Sequence, residues 1–340
     1  MGLVGCLAWV QAENLCVVSY NVENLFHPKH DTVVERVSEL VNEGVREVEK
    51  DDWEWTPEGE RRWSYSRYYR KVENIARVLT NIGEWDGVDI VGLQEVENAK
   101  CIKKLCYTLR RGEYDFVHYE SPDPRGIDVA FIYKKARVDT IATRVIRVSA
   151  SLNDGMSAAK PLNDEFSTRD ILYVCAKVKS KKEQAIQGDT IHFFVCHLPS
   201  QRGGAVESEW KRKTAKEVLQ KAVDSVLAVH PDAKIVVMGD MNSEPKDDIA
   251  GLRNRMISTK GESTMYKGTH KYRGQWTCLD QFYTSPTIDS ISEVRVYDAE
   301  WIQEADEQYM GLKPKRTYNG VRYQNGFSDH LPIALNLNFK

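Results

Sequence analysis

The sequence lacks several features that would assign it to a specialised class of protein. No apolar run approaches the roughly 18 residues that a membrane-spanning helix needs, which argues against an integral membrane protein. Its seven cysteines are scattered and odd in number, without the paired spacing of a zinc finger or a disulfide framework. The formal net charge is only −3, so the whole molecule carries no excess of positive charge that would indicate nucleic-acid binding.

The composition is that of a folded globular protein. Hydrophobic residues make up 41% of the 340 positions and charged residues 29%, which is enough apolar material for a large core. Aromatic residues reach 10%, a content that argues against disorder. The length predicts one large domain or two small ones, and neither an internal repeat nor a low-complexity linker divides the chain.

The first 13 residues have some features of an export signal. They are mostly small and apolar, and Val10-Gln11-Ala12 resembles a cleavage site, although the basic start of a signal peptide is missing. We predict that residues 1–13 are the remnant of an export signal or an N-terminal arm. Export would make the protein secreted or periplasmic, with a lipid anchor on Cys6 as one version. Without export the protein would be cytoplasmic.

Apolar periodicity predicts short buried strands mixed with helices. Helical spacing occurs in three segments, Arg67–Ile82, Asn98–Arg110 and Ala205–Ala228. Residues 32–50 are charged with weak helical spacing, which predicts an exposed helix or an insertion. Packed sheets flanked by helices are the arrangement that this pattern favours. The predicted strands are Leu15–Tyr20, Val88–Leu93, Val129–Tyr133, Ile171–Val178, Ile191–Cys196, Ile235–Met238, Leu279–Tyr283 and Leu331–Phe339.

Short polar signatures follow or interrupt these apolar strands at seven places. A buried carboxylate is costly unless it is paired or binds a metal, so several of them at strand ends indicate one shared polar pocket. The seven signatures are Ser19–Glu23, Gln94–Val96, Gly126–Asp128, His197–Ser200, Gly239–Asn242, Leu279–Gln281 and Ser328–His330.

The chemistry that fits this set is metal-assisted hydrolysis of a phosphodiester. Carboxylate oxygens suit a hard ion such as Mg²⁺, with Mn²⁺ or Ca²⁺ as substitutes, and nothing resembles a zinc site rich in His or Cys. A carboxylate beside an Asn could orient and deprotonate the attacking water. A His paired with an Asp could act as an imidazolium that donates to the phosphoryl oxygens.

The ordered series of signatures resembles the endonuclease/exonuclease/phosphatase superfamily, which includes deoxyribonucleases, abasic-site endonucleases, neutral sphingomyelinases and inositol-polyphosphate 5-phosphatases. The resemblance runs over nearly the whole chain and implies one catalytic domain over residues 14–340. It implies an α/β (α+β) fold, a four-layered sandwich of two mostly antiparallel β-sheets flanked by helices. The residues that carry the resemblance are Asn21, Glu95, His197, Asp240, Asn242, Asp280, Asp329 and His330.

The resemblance implies a metal side of the site. Glu95 resembles the principal Mg²⁺ ligand of the family. Asn21 resembles a contact to phosphate or to metal-bound water, and Glu23 matches a position that is acidic in abasic-site endonucleases. Asp329 matches an Asp on the metal side.

The resemblance also implies an acid–base side. Asp240 resembles the residue that positions or activates the water, and Asn242 resembles a residue that holds a phosphate oxygen. His330 resembles the catalytic His, with Asp280 as the carboxylate that orients it.

Four further residues are candidates on weaker grounds. His197 matches a second His of the deoxyribonuclease and sphingomyelinase branches, and Asp128 would be its partner carboxylate. Arg169 resembles an Arg that contacts phosphate, a group that suits bidentate recognition. Arg202 lies in a Gly-containing loop after His197 that could approach a phosphate, although a plain flexible loop explains the glycines equally well.

Residues 61–71 interleave five cations with four aromatic side chains. This pattern suits contacts to a nucleic-acid backbone with base stacking. It also suits a helix start whose long basic side chains cover apolar surface. Together with the two-His pattern, it favours a nuclease, and we expect an endonuclease. A monomer without a stable protein partner is the default expectation, because the sequence carries no sign of the oligomeric state.

Two alternatives stand beside the nuclease. The first is the same chemistry on a sphingomyelin-type lipid or a phosphoinositide. Against the phosphoinositide, the 5-phosphatase branch carries Asp-Arg where this chain has Asp280-Gln281. The second is a non-catalytic binding protein that retains the fold, against which the presence of Glu95, Asp240 and His330 counts.

Overall fold

The computed structural model describes residues 13–29, 33–35, 46–48, 52–148, 168–179, 189–201, 204, 208–257, 267–288 and 291–339. The predicted export signal or arm therefore lies outside the described residues, except for the backbone of Glu13. Arg202, a predicted phosphate contact, also lies outside them. Among the described residues, no helix is long and apolar enough to cross a membrane.

Twenty strands and three α-helices make up the regular structure of the described chain. The helices are α1 (Tyr65–Gly83), α2 (Ala99–Leu109) and α3 (Glu209–Val229), and two 3₁₀ turns lie at Trp53–Trp55 and Glu300–Ile302. The strands are β1 (Glu13–Leu25), β2 (Val33–Glu35), β3 (Arg46–Val48), β4 (Ile90–Val96), β5 (Tyr114–His118), β6 (Asp128–Lys134), β7 (Val138–Ile146), β8 (Ile171–Val178), β9 (Thr190–His197), β10 (Lys234–Asp240), β11 (Arg253–Asn254), β12 (His270–Tyr272), β13 (Gln275–Thr277), β14 (Asp280–Thr284), β15 (Ile291–Val296), β16 (Gln303–Ala305), β17 (Leu312–Pro314), β18 (Tyr318–Asn319), β19 (Arg322–Tyr323) and β20 (Ile333–Phe339).

Two six-stranded sheets dominate the fold. The first has the order β15-β20-β1-β4-β6-β5 and the second the order β11-β14-β10-β9-β8-β7. Each sheet has a single parallel pair, β1 with β4 in the first and β9 with β10 in the second, and its other pairs are antiparallel. The predicted class, an α/β sandwich of two mostly antiparallel sheets, is confirmed.

Three buried clusters show how the layers stack. One packs α1 and α2 against the first sheet, and another packs α3 against the second. Between them, apolar side chains of both sheets face each other, with the rings of Phe131 and Phe193 5.2 Å apart. The order of layers is therefore helix, sheet, sheet, helix. The polar site lies at one end of the apolar cluster between the two sheets.

The helices begin where the sequence supplies caps. Ser64 accepts a hydrogen bond from the Arg67 amide at the start of α1, and Asn98 accepts two from the first turn of α2. Helix α1 buries Val72, Ile75 and Leu79, the face that its apolar spacing predicts. All three predicted helices are present, although α3 starts four residues after the predicted Ala205.

The prediction of a helix within residues 32–50 is wrong for the part that the structure describes. Val33–Glu35 and Arg46–Val48 pair as an antiparallel ladder, which agrees with an insertion instead. The weak helical spacing there carried little information because charged residues dominate it. Strands β7 and β15 were not predicted either, since both lie at sheet edges and have few buried side chains.

Candidate active site

One edge of the two sheets collects the predicted site residues. Parallel strands place their carboxyl ends at the same edge, and an antiparallel neighbour places its start there. Strands β1, β4, β9 and β10 end at this edge, and β6, β14 and β20 begin at it. The polar signatures at strand ends are therefore brought together from both sheets.

Strand alternation decides which of these side chains face each other. Along β10, Val236 and Met238 point into the cluster between the sheets, and Asp240 is the next residue on that face. His197 and Asp280 lie directly beside Asp240 in the register of β9 and β14. The site is thus the polar end of the layer between the two sheets.

A histidine–aspartate pair lies at the centre of the site. His330 Nδ1 lies 2.7 Å from Asp280 Oδ2, and both side chains are buried. The His330 amide donates to Ser328 Oγ, which in turn donates to the Asn21 carbonyl, so the loop before β20 is fixed to β1. Burial alone would lower the pKa of His330, but the charges of Asp280 and Asp240 outweigh it and hold the pKa well above its usual value.

Asp240 lies on the other side of the His330 ring. Its Oδ2 is 3.9 Å from His330 Nε2 and accepts a hydrogen bond from Asn21 Nδ2 at 3.1 Å. Its Oδ1 accepts from the Asn242 amide at 2.9 Å. Burial raises the pKa of Asp240 to about 7, against the opposing charge of His330. A carboxylate whose pKa lies close to neutrality is well matched to accept a proton.

Asn242 is held by the backbone around it. Its Nδ2 donates to the Leu198 carbonyl at 2.9 Å, and the backbone carbonyl of Asn242 accepts a hydrogen bond from Gln201 Nε2 at 3.1 Å. Its φ of 48° is unusual for a residue other than glycine. The structure thus fixes the Asn242 side chain beside Asp240 by a bond to the protein backbone, and its contact with a phosphate oxygen stays a prediction.

The second histidine has the opposite electrostatic environment. His197 Nε2 lies 3.6 Å from Asp240 Oδ2 and 3.9 Å from Glu95 Oε1. Burial, together with the charges of Arg169 and Arg125, lowers the pKa of His197 well below its usual value. His197 is therefore neutral where His330 is cationic. Such a divergence between neighbouring titratable groups is typical of an acid–base site.

The predicted pairing of Asp128 with His197 is wrong. Asp128 Oδ2 lies 3.2 Å from His118 Nε2, and its Oδ1 accepts hydrogen bonds from the amide and hydroxyl of Ser121. His197 Nδ1 is buried and makes no hydrogen bond within the described part of the chain. Asp128 begins β6, and His118 at the end of β5 pairs in register with Ala130, two residues along the same face, which brings its ring to Asp128.

Arg169 lies at the site, but two of its side-chain donors bond to acceptors of the protein itself. Its Nη1 donates to Asp123 Oδ2 at 3.0 Å and its Nη2 to the Leu198 carbonyl at 3.1 Å, the same carbonyl that holds Asn242. Its Nε is buried without a hydrogen bond among the described residues. The guanidinium therefore contributes positive charge beside His197 and positions the chain around Leu198.

Glu95 is held by one backbone hydrogen bond and lies near one arginine. The Asn24 amide donates to its Oε2 at 3.0 Å, while Arg125 lies 3.7 Å from its Oε1. A register shift in β4 and a φ of 64° turn Glu95 out of the normal alternation of the strand. Glu23 and Asn24 also have positive φ angles, so backbone strain concentrates at this edge.

Glu23 and Asp329 share a single arginine. Arg316 Nε donates to Glu23 Oε1 at 3.2 Å, and its Nη2 donates to Asp329 Oδ2 at 2.8 Å. The Thr317 amide donates to the second oxygen of Glu23 at 2.6 Å. Burial would raise the pKa of Asp329, but Arg316 and His330 outweigh it and lower the pKa to about 2.

A buried lysine lies beneath this arginine. Lys71 Nζ lies 3.9 Å from Glu23 Oε2 and donates to the Thr317 hydroxyl and to the Phe327 carbonyl. Burial lowers the pKa of Lys71 to about 8, although Glu23 and Asp329 oppose this. Lys71 thus supplies a second positive charge opposite the two carboxylates, Glu23 and Asp329, that Arg316 joins.

The donor set fits a hard divalent cation at Glu95. The acidic side of the site offers carboxylate and amide oxygen atoms, the ligands that Mg²⁺ prefers, and the nitrogen His197 Nε2 lies 3.9 Å from Glu95 Oε1. Glu95 and Asp329 keep 13% and 23% of their side-chain surface exposed, so neither carboxylate is closed to an incoming ion. Glu23 does not fit as a free ligand, because both of its oxygens accept hydrogen bonds.

Several contacts of the site could not be read from the motifs. Arg316, Arg125 and His270 contact site residues but belong to none of the polar signatures. Lys71 gave one signal, since it lies on the apolar face of α1 between Tyr68 and Ile75, where a lysine needs a buried partner. Of the basic aromatic segment 61–71, the structure buries Trp63, Tyr68 and Lys71, which supports the interpretation as a helix start.

Comparisons with known proteins agree with this fold. Residues 16–339 match the Endonuclease/Exonuclease/phosphatase family. No curated protein matches the chain. An endonuclease/exonuclease/phosphatase family protein from Bacteroides thetaiotaomicron is similar in structure, with 15% identity and a TM-score of 0.55 over 97% of this chain and 99% of that one.

Two further solved structures are similar. The human Nocturnin catalytic domain has 15% identity and a TM-score of 0.54, covering 96% of this chain and 98% of its own. A mannosyl-6-phosphatase from Bacteroides thetaiotaomicron has 15% identity and a TM-score of 0.55, covering 96% and 100%. At these identities the likeness is one of fold.

Proposed function

This chain belongs to the endonuclease/exonuclease/phosphatase family, whose members hydrolyse phosphoester bonds, and we propose that it is a Mg²⁺-dependent phosphodiesterase acting on nucleic acid as an endonuclease. We further propose that residues 14–340 form one catalytic domain and that the protein acts as a monomer. Export remains part of the hypothesis, with residues 1–13 as its signal.

One observation carries the proposal. Asp240, whose pKa burial raises to about 7, lies 3.9 Å from His330, whose pKa is held well above its usual value. A proton acceptor and a cationic donor therefore face each other across a gap beside Glu95 and Asn21. In-line hydrolysis of a phosphoester needs this pair, one group for the water and one for the developing charge.

Each residue has a role in this mechanism. Asp240 accepts a proton from the attacking water, while Asn21 and the Asn242 backbone fix its carboxylate. His330, oriented by Asp280, donates hydrogen bonds to the phosphoryl oxygens as charge develops on them. Glu95 would hold Mg²⁺, with Asn21 and Asp329 near it, and the ion would neutralise charge on the phosphoryl group.

Two substitutions test the mechanism. Asp240→Asn and His330→Ala should each abolish hydrolysis of a chromogenic phosphodiester while the far-UV circular dichroism spectrum is unchanged. Asp232→Asn and His230→Ala are matched controls, since both residues are exposed and lie at the far end of α3. Retained activity in the two purified site variants would exclude these roles.

A substrate panel with Mg²⁺ and with EDTA tests the substrate. Supercoiled plasmid, single-stranded DNA, RNA, an abasic duplex, sphingomyelin liposomes and a phosphoinositide cover the alternatives. EDTA-sensitive nicking of plasmid, absent in His330→Ala, would support the endonuclease. Turnover of lipid alone would exclude it.

A sugar phosphomonoester is a second candidate substrate. The mannosyl-6-phosphatase matches 96% of this chain and all of its own length. In addition, Arg61 stacks on Trp55 and Arg67 on Tyr323, which leaves fewer free cations in the segment that favoured nucleic acid. Release of phosphate from mannose 6-phosphate, without plasmid nicking, would favour this candidate.

A further inference from the structure

Arg316 is placed where the acidic side of the site could otherwise take a second cation. Its Nε and Nη2 bond to Glu23 and Asp329, at 3.2 Å and 2.8 Å. Glu23 lies near the end of β1 and Asp329 just before β20, at the edge where the site is built. One guanidinium thus joins two of the three carboxylates on this side of the site.

The backbone holds this arginine firmly. The Thr317 amide donates to Glu23, the Lys315 amide to the Ile302 carbonyl, and the Phe327 amide to the Lys315 carbonyl. At Gly326, an added Cβ would lie 2.1 Å from the Arg316 carbonyl oxygen, so this close approach requires glycine. The backbone that carries Arg316 is therefore held on both sides, while its guanidinium is held by Glu23 and Asp329.

The charges favour a single added ion. Arg316 and Lys71 supply two positive charges against Glu23 and Asp329. Glu95 is the third carboxylate, and its nearest cation, Arg125, is 3.7 Å away. Of these three carboxylates, Glu95 is the one with no cation within hydrogen-bonding distance among the described residues, and the added ion belongs there. A second ion would have to displace two charge-assisted hydrogen bonds of Arg316.

We propose that Arg316 is a tethered cation that fills the second cation position between Glu23 and Asp329, so that the site binds one divalent ion, at Glu95. This inference rests on the proposed function, because it takes Glu95 as a ligand for that ion. Removing the guanidinium frees Glu23 Oε1 and Asp329 Oδ2 and opens a second position.

Counting bound Mn²⁺ tests the inference without any substrate. Free Mn²⁺ is measured by electron paramagnetic resonance during titration of the purified full chain. We expect about one ion per chain for the wild type and about two for Arg316→Met. Arg316→Lys keeps the positive charge and should stay at one. Arg322→Met, at an exposed arginine six residues away, is the matched control and should also stay at one.

The outcomes separate the two hypotheses. Two ions in the wild type, or one ion in a folded Arg316→Met, would overturn the tethered cation while leaving metal dependence intact. If Arg316→Met fails to fold, Arg316→Gln provides the neutral side chain, and the same counts apply. Loss of all binding in Glu95→Gln supports the ligand assignment. A wild type that binds no Mn²⁺ would overturn both the inference and the proposed function.

Discussion

Replacing Asp280 with Asn should reveal how the protein keeps His330 cationic. The substitution preserves shape, because the Asn oxygen can still accept from His330 Nδ1 and the new amide takes the position of Asp280 Oδ1. That oxygen makes no hydrogen bond among the described residues, so the amide meets no existing donor. What changes is the charge that lies 2.7 Å from the ring.

The size of the effect follows from the contact. A hydrogen bond to a charged group contributes about 1.5–3 kcal/mol, which corresponds to a roughly 10–150-fold loss of rate if the bond is needed in the transition state. The pKa of His330 should also fall, because burial then acts against a smaller opposing charge. The loss should therefore grow as pH rises, since the variant deprotonates His330 earlier than the wild type does.

Two measurements check this expectation. The pH dependence of kcat/KM on a chromogenic phosphodiester gives the loss, and NMR titration of the His330 ring gives its protonation directly. Asp232→Asn is the exposed control and should change neither. Equal pH profiles for wild type and Asp280→Asn would refute the reasoning, because His330 would then owe its charge to another group.

Three further substitutions test stability. Lys71→Met should lower the free energy of unfolding by about 3–5 kcal/mol in urea titrations, because it removes one of the positive charges that offset the buried charge of Glu23. Adding Glu23→Gln removes that negative charge and should restore part of the lost stability. Burial lowers the pKa of His270 from 6.5 to about 4. Because the unfolded chain then binds a proton that the folded chain does not, the free energy of unfolding of the wild type should fall by up to about 3 kcal/mol as pH falls from 6.5 towards 4. His270→Gln should not show this loss in the same urea titrations. Gly239→Ala should cost roughly 3 kcal/mol, measured in the same way, because its φ is 146° and the new Cβ would lie 1.9 Å from the Cys196 carbonyl oxygen.

The sequence predicted the interior of the sheets better than their edges. Strands such as Ile171–Val178 are buried on both faces and appear as continuous apolar runs, so their bounds agree with the structure. The edge strand β15 buries little and has no such run. Its pairing with β20 is a tertiary contact, which a single stretch of sequence does not encode.

The same contrast divides the site. Asp240 and Asp280 could be predicted because each terminates or starts a buried strand, and strand direction brings such ends to one edge. The pairing of Asp128 with His197 was wrong because the sequence does not show that β5, which carries His118, pairs with β6, which begins at Asp128. Arg316 reaches Glu23 across 293 positions of sequence, and no local pattern marks it.

The assembly of the site from two sheets links its chemistry to their packing. Asn21 belongs to the first sheet and holds Asp240 of the second, while His330 precedes the last strand of the first sheet and bonds to Asp280 of the second. Both contacts cross the layer between the sheets. A change in the spacing of that layer would therefore move Asp240, the proposed water-activating carboxylate, and His330, the proposed cationic donor, together. Core residues far from the site, such as Phe193, thus belong to the apparatus that sets its geometry.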